Sequence, residues 1–220
     1  MAASAPDTMD EAAASLDAET AARFAALGVG EAALADFAAW RGLLAEWSAR
    51  INLVGPKELD RFWDRHALDS AQLLPLGPLG ARWIDLGAGA GFPGIAVAIA
   101  QKHLGAGETV LVESVGKKAA FLRAVAEALG LPATVRGERW QDLKREPFGA
   151  VTARAFAPLP RLFDAARAFW GPDTVGIFPK GKALEEELTA AEGAWRFEAE
   201  RVRSITGDGA ILRVTELKAR

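Results

Sequence analysis

The chain has 220 residues, half of them hydrophobic and a quarter charged, which suits one catalytic-sized domain with a small attachment and falls short of two full domains. It has no cysteine, no tyrosine and only two histidines, His66 and His103. That excludes disulfide scaffolds, thiolate metal sites and cysteine or tyrosine nucleophiles, and no metal centre is expected. The formal charge of -3 hides an asymmetry: residues 1–46 hold eight acids against two bases, whereas 116–145 hold seven bases against three acids.

In chain order, residues 1–15 are rich in Ala, Ser, Asp and Pro without periodicity and are expected to form a disordered tail. No apolar run reaches the roughly 18 residues of a membrane span, and Met1 to Met9 lacks a signal-peptide pattern. A cytoplasmic protein without membrane contact is expected. Leu34, Phe37, Trp40, Leu44, Trp47 and Ile51 recur at three- and four-residue spacings and predict a long amphipathic helix. Leu59, Phe62, Trp63, Ala67, Leu68, Ala71 and Leu74 predict further helix before Pro75, Gly77, Pro78 and Gly80 break the pattern. Residues 16–80 thus read as a helical N-terminal extension.

Beyond Gly80, short apolar runs alternate with helical periods, the pattern of strand and helix units around a parallel sheet. Strands are predicted at 82–86, 109–113, 133–136, 149–153 and 174–178, and helices at 93–102, 117–129, 159–170 and 182–191. The runs 195–203 and 210–217 have only Gly207, Gly209 and polar residues between them, and predict an antiparallel hairpin. The fold class is α/β. This pattern resembles the seven-stranded, mostly parallel Rossmann-like sheet of class I S-adenosylmethionine-dependent methyltransferases, with helices on both faces and, as expected here, one edge strand antiparallel. Residues 81–220 would form that domain.

The first strand runs into Gly87, Gly89, Gly91 and Gly94, where glycine permits positive φ and close approach of a ligand to the backbone. Gly89, Gly91 and Gly94 also satisfy the G-x-G-x-x-G spacing of NAD sites. Asp85 separates the two readings. A carboxylate at that strand tip repels a pyrophosphate but suits the ammonium of a methionine moiety; its bland alternative is a helix cap. Glu113, ending the second strand, suits the ribose hydroxyls of either cofactor.

The run from Asp85 to Ile95 with its Phe-Pro-Gly extension, preceded by Arg65-His66 and Asp69-Ser70, is similar to the RsmG (GidB) family of bacterial 16S ribosomal RNA guanine-N7 methyltransferases. Further matches are Glu113-Ser114 with Lys117-Lys118, Arg136-Gly137-Glu138, the segment Ala153 to Leu159, and Lys180-Gly181. The resemblance spans about residues 40–182. It implies S-adenosylmethionine as cofactor, 16S RNA or the small ribosomal subunit as partner, and a cofactor site from Asp85, Gly87, Gly89, Phe92, Glu113, Ser114, Val115, Gly137, Glu138 and Arg154. Monomer is the default oligomeric state.

Guanine N7 carries an in-plane lone pair, so the nucleophile loses no proton and orientation with charge stabilisation suffices. Cytosine C5 transfer normally uses a cysteine, and adenine N6 transfer a Pro-Pro motif; both are absent. Arg65, His66 and Lys180 are candidates at the reacting base, with His66 expected to be fixed locally by Asp69 or Ser70. Lys117, Lys118, Arg123, Arg139 and Lys180 are candidates for RNA phosphates, and Trp63, Phe92 or Phe156 for base stacking. Competing readings are transfer to a small molecule or another RNA atom, an NAD-dependent oxidoreductase, and a non-catalytic RNA-binding protein.

Overall fold

The computed structural model describes residues 16–220, so the expected tail lies outside the described residues. Helices α1 (Ala18–Ala26) and α2 (Glu31–Ser48) open the chain, with Asp17 capping α1 through the Thr20 N–H. The next helical stretch is broken. Short α3 (Pro56–Asp60) gives way to a π-helical turn, Phe62–Ala67, then to α4 (Leu68–Ala71) and a 3-10 turn at Leu74–Leu76. Wide π turns are uncommon and cluster at functional sites. This one carries Arg65 and His66.

The remainder alternates β1 (Arg82–Leu86), α5 (Gly94–Leu104), β2 (Glu108–Val112), α6 (Gly116–Ala128), β3 (Ala133–Arg136), β4 (Ala150–Thr152), α7 (Leu159–Ala166), β5 (Val175–Lys180) and α8 (Leu184–Glu192), ending in β6 (Trp195–Arg203) and β7 (Ala210–Ala219). The helix predicted over 159–170 stops at Ala166 and tightens into a 3-10 turn at Arg167–Phe169. The sheet order is β3-β2-β1-β4-β5-β7-β6. β7 runs antiparallel to β5 and to β6 and lies between them, so the reversed strand is interior and β6 is the edge. The expectation of an antiparallel edge strand is corrected by this register, in which Lys180 pairs with Ala210.

Alternation along β1 assigns its side chains to two cores. Trp83, with Leu111 of β2, joins a cluster that α1, α2, α5 and α6 cover. Ile84 and Leu86, with Val110 and Val112, face α7, α8 and the β6–β7 hairpin on the other side. The predicted stripe on α2 enters the first cluster through Phe37, Trp40 and Leu44. Trp40 lies 4.6 Å from the Phe92 ring and 5.4 Å from Phe62, so the N-terminal helices bear directly on the glycine loop. No described helix is long and apolar enough to cross a membrane.

Candidate active site at the carboxyl edge of the sheet

Ligands in open parallel sheets bind beyond the carboxyl ends of the strands, where the strand order reverses. Here the reversal lies between β1 and β4. Gly87, the first residue past β1, has φ +71, and a Cβ there would meet Phe156 at 2.7 Å. The glycine thus allows the β4–α7 loop to close over the β1 loop. Asp85 shares Trp83's face of β1 and is buried beneath the start of α5, its Oδ2 accepting the Gly94 N–H at 3.0 Å and its Oδ1 the Thr152 hydroxyl at 3.0 Å. A Cβ at Gly94 would sit 2.2 Å from Leu111 and 2.7 Å from the Asp85 carboxylate, so only glycine lets α5 descend this far. Burial pushes the Asp85 carboxyl up to about 7, against the lowering effect of the Thr152 and Gly94 hydrogen bonds. The capping alternative describes its geometry. It also fills the helix N-terminus where a dinucleotide pyrophosphate would rest, which disfavours NAD.

At the end of β2, Glu113 is buried, with Oε2 accepting from the Gly89 N–H at 3.0 Å and Oε1 from the Val115 N–H at 2.7 Å. Its carboxylate is held between the glycine loop and the β2–α6 turn. Ser114 and Val115 follow on the surface, and Val115 is one of three large apolar side chains exposed among the described residues, at 49 %. Gly137 and Glu138 stand exposed past the tip of β3. A fixed carboxylate beside an open glycine turn and an uncovered apolar side chain fits the ribose and adenine of an adenosyl cofactor.

A cavity of about 800 Å³ opens next to this region, lined by Arg65, His66 and Asp69 from the π turn and α4, by the β4–α7 loop, by the tip of β5 and by the β6–β7 turn. Arg154 is its hub. One Nη donates to Asp69 Oδ2 at 3.2 Å, the other reaches His66 Nδ1 at 3.1 Å, and the guanidinium lies 4.8 Å from the Phe92 ring centroid. Nδ1 must accept, because guanidinium only donates. The ring proton is then on Nε2, which donates to Glu58 Oε2 at 3.0 Å. Burial, followed by the Arg154 charge, lowers the His66 pKa below its ordinary 6.5 and keeps the ring neutral. Desolvation likewise lowers the Arg154 pKa, against the raising effect of Asp69.

The local bond expected for the His66 ring is not made. Ser70 Oγ donates to the His66 carbonyl, and Asp69 Oδ1 is taken by Thr206 at 2.6 Å and Gln72 at 2.8 Å. Lys180 lines the cavity, yet its ammonium is committed to the Ala157 carbonyl at 3.0 Å and Glu187 Oε2 at 2.7 Å, with the side chain 9 % exposed. Arg154 therefore stands with Arg65, His66 and Lys180 around the cavity, which Glu113, Ser114, Val115, Gly137 and Glu138 do not line. Among the described residues Lys117, Lys118, Arg123 and Arg139 are held in no ion pair. Of the stacking candidates, Trp63 and Phe92 are buried and Phe156 is half-buried in the cavity wall. Glu58, Gln72, Glu187 and Thr206 escaped the sequence reading. Apart from the three-residue bond of Gln72 to Asp69, the contacts that place them here span 7 to 137 residues and leave no local spacing signal.

The family model described as rRNA small subunit methyltransferase G matches residues 33–212. The chain belongs to this family. Curated members named ribosomal RNA small subunit methyltransferase G include one from Rhodospirillum centenum, 46 % identical and covering 89 % of this chain and 90 % of its own. Another, from Caulobacter vibrioides, is 44 % identical and covers 90 % and 92 %. Among solved structures, the ribosomal protein L11 methylase from Lactobacillus delbrueckii subsp. bulgaricus superposes with a TM-score of 0.55 at 17 % identity, covering 69 % of this chain and 78 % of that one. A mutant of MtNAS in complex with S-adenosylmethionine superposes at 0.56 with 20 % identity over 90 % and 79 %. The sheet is that of the class I S-adenosylmethionine-dependent methyltransferases, and family membership makes this chain an rRNA methyltransferase that uses S-adenosylmethionine.

Proposed function

We propose that the protein transfers a methyl group from S-adenosylmethionine to N7 of a guanine in 16S ribosomal RNA, with the cofactor over the glycine loop and the guanine in the cavity around Arg154. Bound S-adenosylmethionine supplies an electrophilic sulfonium methyl. Glu113 would hold the ribose, Ser114 and Val115 would line the adenine side with Gly137 and Glu138, and Gly87, Gly89 and Phe92 would shape the methionine end. Asp85 acts there by fixing the loop, since its carboxylate is already bound to Gly94 and Thr152.

The observation that carries the N7 reading is the state of the proton acceptors beside β4. His66 Nδ1 is occupied by Arg154, Asp69 by Arg154, Thr206 and Gln72, and Glu58 by His66. A nucleophile that must lose a proton beside Arg154 would find each of these neighbouring acceptors already committed; N7 needs none. What the reaction does need is orientation of the base, which the mutually fixed groups around Arg154 supply. Phe156 offers an aromatic face for the base, and Lys117, Lys118, Arg123 and Arg139 offer cations for phosphates beside the cofactor side. On this reading the protein works as a monomer in the cytoplasm.

The test is transfer of labelled methyl from S-adenosylmethionine to unmodified 16S RNA, followed by chemical cleavage specific for N7-methylguanine. A single cleavage site that disappears in Glu113→Ala is expected. Label without cleavage would move the acceptor to another atom.

A further inference from the structure

Four carboxylates line the cavity, and three are spent inside the protein: Glu58 on His66, Asp69 on Arg154 and Thr206, and Glu187 on Lys180 and the Leu159 N–H. Asp208 is the fourth. Its side chain is exposed at the tip of the β6–β7 turn and makes no hydrogen bond or ion pair among the described residues. An unpaired acid in the wall of an RNA-acceptor cavity repels phosphate, so its fitting partner is a donor edge of a base. Guanine alone among the four RNA bases places two N–H donors side by side, N1–H and the N2 amino group. They match the two oxygens of one carboxylate.

The turn holds its place firmly. β7 is antiparallel to β5, which brings the β6–β7 turn to the same carboxyl edge as the tips of β4 and β5. The Gln72 side chain, itself buried, accepts the Ile205 N–H and donates to Ser204 Oγ and Thr206 Oγ1, while Arg23 donates to the Ile205 carbonyl. Thr206 is tied to Asp69, and a Cβ on Gly209 would come within 2.8 Å of the Lys180 carbonyl. Asp208 is thus carried on a preorganised support, as a recognition group requires. N7 and the N1–N2 edge lie on opposite sides of a purine. A base whose N7 faces the β1–β4 switch point turns its donor edge toward the β6–β7 turn.

We propose that Asp208 reads the N1–H and N2–H edge of the target guanine and so sets base selectivity, an inference that rests on the guanine-N7 reading above. The test uses 16S RNA assembled by ligation with either guanine or inosine, which lacks the N2 amino group, at the position mapped by cleavage. The wild type is expected to methylate guanine about tenfold or more faster than inosine, because a site built for an N–H rejects the analogue lacking it. In Asp208→Ala the ratio falls toward one, with S-adenosylmethionine affinity by calorimetry unchanged; Asp208→Asn, which keeps one acceptor, lies between. A ratio preserved in Asp208→Ala overturns the proposal, as does a wild-type ratio of one. Absence of any N7 transfer by the wild type instead defeats the underlying reading of function.

Discussion

Replacing Lys180 separates a structural tie from an RNA contact. Its ammonium bridges the Ala157 carbonyl and Glu187, and the same Glu187 oxygen accepts the Leu159 N–H at 2.8 Å, so three elements meet at one ion pair: the β4–α7 loop, the tip of β5 and α8. The lysine side chain is 9 % exposed and the glutamate 21 %. Breaking a fully buried pair costs about 3–5 kcal/mol, and this partial solvation brings Lys180→Ala to about 2–3 kcal/mol. At roughly 2–4 °C per kcal/mol for a chain of this size, the melting temperature should fall by roughly 4–12 °C. Urea denaturation of Lys180→Ala, Glu187→Gln and the double variant is the assay, with an expected coupling of about 1–2 kcal/mol because the two groups touch. If Lys180→Ala keeps wild-type stability and instead raises KM for RNA with a shallower salt dependence, the tie is wrong and the lysine binds phosphate.

His66 should titrate with a midpoint below 6.5, with Nε2 protonated and Nδ1 bare above it. Because the folded pKa is depressed, the stability contributed by the neutral ring is complete above 6.5 and is lost as pH falls through the folded value. Methyl transfer should decline over the same range, since protonation of Nδ1 breaks the bond to Arg154. Nitrogen NMR of the ring decides it, and a midpoint above 6.5 sinks the assignment. Gly94→Ala should cost about 1–3 kcal/mol by overpacking against Leu111 and Asp85. An unchanged urea midpoint would show that α5 does not need this approach.

The sheet was readable because its strands are short apolar runs fenced by glycine and proline. The predicted 82–86, 133–136 and 195–203 coincide with β1, β3 and β6. The position of β7 was not readable, since a hairpin pattern does not tell which of its two strands will pair with β5. The π turn at Phe62–Ala67 was likewise hidden, because its apolar residues follow helical spacing whether or not one turn is widened. The glycine loop and Arg154 announce themselves as local motifs. Thr206 does not, since it acquires its role only when a distant segment is brought to the carboxyl edge, and Glu58 reaches His66, eight residues on, only across the break between α3 and the π turn.

The interior placement of β7 has a consequence for how the molecule is assembled during synthesis. β5 is complete at residue 180, yet the strand that covers its open edge begins only at residue 210. Until then the nascent chain presents an unpaired, largely buried-type strand, Val175 to Phe178, to its surroundings. A chain interrupted between β6 and β7 would keep the residues of the glycine loop and Glu113 but lack part of the cavity wall, and the lateral edge of β5 would stay unpaired.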